Sequence, residues 1–188
     1  MNEGMKMVGY QQHVEWMGAT VLTLSDIWPE STRAMIVGLN PAPVSVEAGH
    51  YYQGQTGQRQ LRRLAAAGLF IVSGSLRHFE EPAAKVGVGF TDIVKRPTRG
   101  ESDVTGVEIE YGKTRFEVQL AERDVGLIIS VFRQPVEALL GHGGAPGLQK
   151  LRTSWGAQVF RMLGPFEKRE IADEVMATLP IRWLRATR

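Results

Sequence analysis

Asn40 follows an apolar run, Ala34-Met35-Ile36-Val37-Gly38-Leu39, and stands directly before Pro41, with Pro43 two residues further on. Proline fixes φ and has no N–H, so neither proline can extend a strand ladder. The carboxamide is therefore pinned where a buried strand stops. A fixed amide there can hold a water or a base edge, because it offers both donors and an acceptor. Open α/β sheets bind ligands at this edge. The other reading is a strand-ending turn in which Asn40 bonds its own backbone.

Further polar and aromatic residues cluster in two stretches. The first holds Ser45, His50, Tyr51 and Tyr52 in a Gly- and Gln-rich segment. Two adjacent tyrosines there either serve a ligand or anchor the segment to the core. The second is Gly87-Val88-Gly89-Phe90-Thr91-Asp92-Ile93-Val94-Lys95-Arg96-Pro97-Thr98. Its Asp92 stands at a strand end, where pairing with Lys95 or Arg96 is the plain structural reading. There is no Gly-x-x-x-x-Gly-Lys-Ser/Thr phosphate loop, which argues against an NTPase. Gly141-His142-Gly143-Gly144 reads as a flexible loop.

These residues need elements to place them. Residues 1–33 read as a loop-and-helix lead-in. Residues 34–39 are a first buried strand, and residues 43–57 a long loop of the kind that is usually functional or disordered. Residues 58–67 read as a helix with Leu61 and Leu64 on one face and Gly68 at its end. Residues 86–94 give a second strand, 113–124 a helix, 126–132 a third strand, 135–140 a short helix, 158–163 a fourth strand and 166–179 a last helix. Continuous apolar strands alternating with helices predict a three-layer α/β sandwich around a mostly parallel sheet of four to five strands.

Composition bounds the answer. With 188 residues and 43% hydrophobic content the chain is expected to form one domain, residues 1–188. No apolar run approaches the roughly 18 residues of a membrane span. Residues 1–10 lack the long apolar core of a signal peptide, so the expected location is the cytoplasm. The absence of cysteine excludes disulfides, iron–sulfur clusters and thiol nucleophiles. Four scattered histidines argue against a structural metal site. Net charge is only +2, so attraction to nucleic acid must come from local clusters. Those are Arg59, Arg62 and Arg63; Lys95, Arg96 and Arg99; Lys168 and Arg169; and Arg182, Arg185 and Arg188.

The segment Gly38-Leu39-Asn40-Pro41, then Ser45, then Gly49-His50-Tyr51-Tyr52-Gln53-Gly54, together with the block from Gly87 to Thr98, resembles the mismatch-specific uracil/thymine-DNA glycosylase family. The resemblance implies a uracil-DNA glycosylase-like fold and a monofunctional enzyme that hydrolyses the base–sugar bond of uracil or a related base in DNA. It implies no metal and no cofactor. Asn40 takes the role of orienting the attacking water, and Gly38, Leu39, Pro41, Ser45, His50 and Tyr52 form the base pocket, with Tyr52 stacking on the flipped base. Asp92 holds the position that reads the base's polar edge. Lys95 and Arg96 are phosphate or fold-anchoring contacts, and the expected partner is DNA, met by a monomer.

The pattern also breaks. Ala42 and Pro43 stand where the family has Gly after Pro. Gly57, Gln58, Arg59 and Gln60 replace an Asn and an aromatic pair, and Gln58 is the residue able to replace that amide. The family's third motif is a loop that wedges into the gap left by the flipped base. Here Met162-Leu163-Gly164-Pro165-Phe166-Glu167-Lys168-Arg169 keeps the position and a turn, but not the residues. Phe166 is the candidate wedge, and Lys168 and Arg169 the candidate gap-filling or phosphate contacts. Two rival readings follow: a nucleotide- or nucleoside-binding hydrolase on the same scaffold, and a DNA-damage binder without activity.

Overall fold

The computed structural model describes residues 6–181. The cluster Arg182, Arg185 and Arg188 lies outside them, as do the first five residues. In chain order the elements are β1 (Gln11–Trp16), β2 (Ala19–Leu24), β3 (Ala34–Gly38), α1 (Pro43–Ala48), α2 (Gln55–Ala66), α3 (Glu80–Ala84), β4 (Val88–Asp92), α4 (Gly106–Glu122), β5 (Leu127–Ser130), α5 (Arg133–Leu140), β6 (Gly147–Arg152), β7 (Gln158–Arg161) and α6 (Arg169–Met176). Five strands form one sheet in the order β4-β3-β5-β7-β6. β3 pairs in parallel with β4 and β5, and β5 with β7, while β6 runs antiparallel on the edge.

Successive residues of a strand point to opposite faces, and here both faces are covered. Ala34 and Ile36 pack with Leu61 and Leu64 of α2 and Ala172 and Met176 of α6. Met35 and Val37 pack with Phe116 and Leu120 of α4 and Val136 of α5. All four β3 side chains are fully buried. This explains the unbroken apolar run, since a strand covered on both sides has no solvent face to make polar. The result is the three-layer α/β sandwich expected from the alternation of elements.

The lead-in differs from expectation. β1 and β2 form an antiparallel hairpin, paired from Gln11↔Leu24 to Trp16↔Ala19. Its turn is Met17-Gly18, with φ of 50° and 82°. Two left-handed residues suit a tight hairpin, but Met is not the Asn or Asp that announces one. The long loop also contains α1, six residues with Pro43 in its first turn and Gly49 at φ 72° closing it. α2 starts at Gln55 and α4 at Gly106, both earlier than periodicity suggested. The last helix spans only Arg169–Met176.

The chain leaves β3 for β4 on one side, then crosses back over β3 to β5 on the other. A crevice opens at the carboxyl ends where the direction of winding reverses.

Candidate active site

The cleft at those carboxyl ends has a volume of about 800 Å³, within the range that suits a small planar ligand. Asn40, Tyr52, Asp92, Thr98, Arg161 and Pro165 are among its walls, and they come from four separate segments. Two grooves of similar size lie elsewhere, one at the amino ends of the strands and one between α2 and α6. Neither collects residues from the strand ends that carry the chemistry.

Asn40 is fixed by the turn after β4. Its Nδ2 donates to Thr98 Oγ1 at 2.8 Å and to the Arg96 carbonyl at 3.1 Å. The Thr98 hydroxyl donates onward to the Gly100 carbonyl at 2.8 Å, so it can only accept from Asn40. Backbone bonds tie the two turns together as well, from Val94 N–H to Leu39 O at 2.8 Å and from Thr98 N–H to Pro41 O at 3.3 Å. With the amide nitrogen engaged, Oδ1 is the atom left to accept a hydrogen bond from a ligand or a water. The amide is thus a preset acceptor on the cleft wall. Its partners lie across the chain; the longer contact of 3.3 Å to the Pro41 carbonyl is the only local one.

Tyr52 and Asp92 meet above Gly38. A Cβ on Gly38 would overlap Asp92 Oδ1 and come within 3.1 Å of Tyr52 Oη. Glycine is required there because the two side chains occupy that space. Tyr52 holds φ 56°, a costly conformation for a bulky residue. Gly57 lies directly behind it, where a Cβ would stand 2.9 Å from Tyr52 Cα. Gln58 Nε2 donates to the Tyr52 carbonyl at 2.9 Å and to Arg77 O at 2.8 Å. The Tyr52 hydroxyl is buried with no hydrogen-bond partner among the described residues. Burial and, after it, the Asp92 charge push its pKa well above the usual value, so it stays a neutral donor.

Asp92 is 4% exposed. Burial raises its carboxyl pKa to about 7, with Lys95 pulling the other way and Asp26 adding to the rise. The expected pairing of Asp92 with Lys95 or Arg96 is not made. Lys95 Nζ donates to Asp26 Oδ1 at 2.6 Å, and Thr91 Oγ1 donates to the same oxygen at 2.7 Å. Arg96 grips Glu108 with two hydrogen bonds of 2.6 and 2.9 Å. Both basic residues therefore serve internal ion pairs, in keeping with their fold-anchoring reading and not with a phosphate contact.

Other candidates are spread more widely. Ser45 borders the cleft, but its hydroxyl accepts from Gln53 N–H at 3.0 Å. Pro41 borders it too, whereas Leu39 is buried in the core beneath α4 and α5. His50 is seated outside the cleft. Its ring stacks on His78 with centroids 3.6 Å apart, and Nδ1 lies 3.3 Å from Glu80 Oε1. The other Glu80 contact is with Tyr51 N–H at 2.7 Å, so this histidine pair backs the tyrosine segment from behind. Gln58 faces the loop carbonyls just described. Phe166 is 78% exposed in a turn before α6, and Lys168 and Arg169 follow it, exposed.

Sequence reasoning missed Arg161, the last residue of β7. Its guanidinium donates to the Gly143 and Gly144 carbonyls, while Nε is buried without a partner among the described residues. The Gly141–Gly144 segment was its only signal. Among the described residues no three His, Asp or Glu are grouped to hold a metal ion, and no helix is long and apolar enough to cross a membrane.

A family model, the uracil DNA glycosylase superfamily, matches residues 25–178. The match runs from just after β2 to just past α6 and so takes in the cleft's lining residues other than Leu24. Members of that superfamily are DNA glycosylases, hydrolases of DNA repair, and this chain, built on their fold, belongs to the uracil DNA glycosylase superfamily.

Proposed function

We propose that the chain is a monofunctional glycosylase of the mismatch-specific uracil/thymine type, releasing uracil or a related base from DNA by attack of a water held on Asn40. The observation that carries this reading is the fixed orientation of the Asn40 amide, whose nitrogen is tied to Thr98 and Arg96 and whose oxygen is left for the cleft. In the reaction the C1′–N bond breaks and its electron pair leaves with the base. The water oxygen bonds to the cationic C1′, and the proton it loses passes to solvent or to the departing base. An amide cannot take that proton as a strong base, so Asn40 positions rather than deprotonates. Such catalysis suits a good leaving group. The base reaches the cleft by flipping out of the stack, where Tyr52 offers a stacking face worth about 1–3 kcal/mol.

Asp92 sets which base fits. As a neutral acid it both donates and accepts, which matches the adjacent carbonyl and N–H of uracil. As a carboxylate it accepts only, which matches a base carrying an exocyclic amine. With the pKa near 7, both forms exist around neutral pH.

The direct test is incubation with single- and double-stranded DNA bearing one uracil, followed by alkali to cut abasic sites. Base release supports the reading. Tight binding without release supports the non-catalytic damage binder instead.

A further inference from the structure

We propose that Arg63 and Gln60 of α2 are positioning residues that clamp loop 163–167 so that Phe166 is presented, already ordered, for insertion into the DNA base stack. This rests on the glycosylase reading above, and it assigns a role to two residues outside the cleft chemistry.

The loop after β7 has carbonyls that no strand or helix satisfies, and buried or half-buried carbonyls need donors. α2 supplies them. Gln60 Nε2 donates to Leu163 O at 2.7 Å. Arg63 Nη1 donates to Gly164 O at 2.8 Å, and its Nη2 donates to Pro165 O at 3.1 Å and Glu167 O at 3.3 Å. Arg59 adds a bond to Pro165 O at 3.3 Å. Arg63 Nη1 also donates to Gln60 Oε1 at 3.2 Å, which fixes the two clamp side chains against each other. One side of the loop is thereby held along its whole length by a single helix.

The same loop carries Phe166. Its ring is 78% exposed, and the Arg59 guanidinium lies over it, 5.4 Å from the centroid. Apart from that one contact the phenylalanine stays exposed on a loop that is otherwise heavily bonded. Leu163, Gly164 and Pro165 border the cleft, so Phe166, the next residue in the chain, stands beside the mouth that would receive a flipped base. Fixing the loop in advance removes the ordering entropy that insertion would otherwise cost. The guanidinium reaches the three carbonyls from two nitrogens of a planar fork, whereas a lysine ammonium has its three donors on a single atom and does not reproduce that spread.

A wedge matters only where a stack must be opened. The readouts are therefore single-turnover base release from duplex and from single-stranded uracil DNA, and the emission of a 2-aminopurine beside the uracil in the duplex. Arg63→Lys keeps the charge and loses the fork, and it is expected to lower the duplex-to-single-strand rate ratio at least roughly tenfold. Phe166→Ala is expected to do the same, and the double variant to lose little more than either single one, because both act through one loop. A ratio unchanged by Arg63→Lys, or losses that simply add, overturns the clamp. If the wild type releases no base but its duplex binding raises 2-aminopurine emission, and Arg63→Lys abolishes that rise, the hydrolase reading fails and the clamp stands. No rise with the wild type overturns the clamp as well.

Discussion

Asp92 and Tyr52 show how single residues can be held in states that free amino acids do not favour. Burial lifts the Asp92 pKa to about 7 from an ordinary 3.8. A carboxyl with a raised folded pKa stabilises the fold fully below pH 3.8 and loses that contribution as pH climbs through about 7. The same titration should act on the reaction. Uracil release is expected to fall as pH rises through 7, and Asp92→Asn, which keeps a donor at every pH, should flatten that fall. It should also raise uracil release relative to a cytosine-like base bearing an amine. Single-turnover rates on the two bases from pH 5 to 9 check both points, and an unchanged profile would reduce Asp92 to a structural residue. Tyr52 tests a different balance. Gly57→Ala should gain up to about 1 kcal/mol of helix propensity in α2, yet its Cβ would press on Tyr52 Cα at 2.9 Å. The contact is with backbone, which yields poorly, so we expect weaker base release despite a helix-favouring change. Unimpaired release by that variant would show that the left-handed Tyr52 does not matter to the pocket.

The elements were legible where one physical signal dominated. β3 and β5 are continuous apolar runs, and no other element accommodates them so well. α5 and the end of α2 carried Pro and Gly at the expected ends. The hairpin was hidden because its turn uses Met17, and β6 because it is an exposed edge strand whose Leu148 and Leu151 do not alternate. α4 was placed late because its start is marked by a capping box and not by periodicity: Thr105 Oγ1 accepts from Glu108 N–H, and the Glu108 carboxylate reaches back to Thr105 N–H. The cleft residues Asn40, Tyr52 and Asp92 could be picked out because they sit at strand ends or beside prolines. The ion pairs of Lys95 with Asp26 and of Arg96 with Glu108 could not, since they join residues distant in sequence or chosen among several acids. The second pair makes a stability prediction. Arg96 holds the Glu108 pKa down to about 2 from 4.5. Its contribution is therefore complete above pH 4.5 and is lost as pH falls toward 2. Arg96→Met should cost about 1–3 kcal/mol in denaturant unfolding at pH 7, and that difference from wild type should shrink on acidification. A difference independent of pH would exclude the ion pair as its source.

At the scale of the whole molecule, a net charge of +2 gives little long-range attraction to a polyanion. Binding must come from local exposed cations: among the described residues these include Arg99 and Arg133 on the cleft wall, and Arg59, Lys168 and Arg169 around the loop after β7. DNA affinity should therefore fall steeply with salt, with a log–log slope matching roughly 3–6 released counterions. Affinity indifferent to salt would point to a small-molecule substrate on the same scaffold. The fold itself does not settle such a choice, since function lives in the site. What the whole architecture does is bring the turns after β3 and β4 together, so that the Asn40 amide is held at a fixed angle on the cleft wall. The central claim is that this amide acts in the transition state and not in binding. Single-turnover base release and DNA affinity measured side by side for the wild type and Asn40→Ala test it most directly. We expect release to drop by at least about 10²-fold with affinity nearly unchanged. An Asn40→Ala protein that releases the base at close to the wild-type rate would contradict the account.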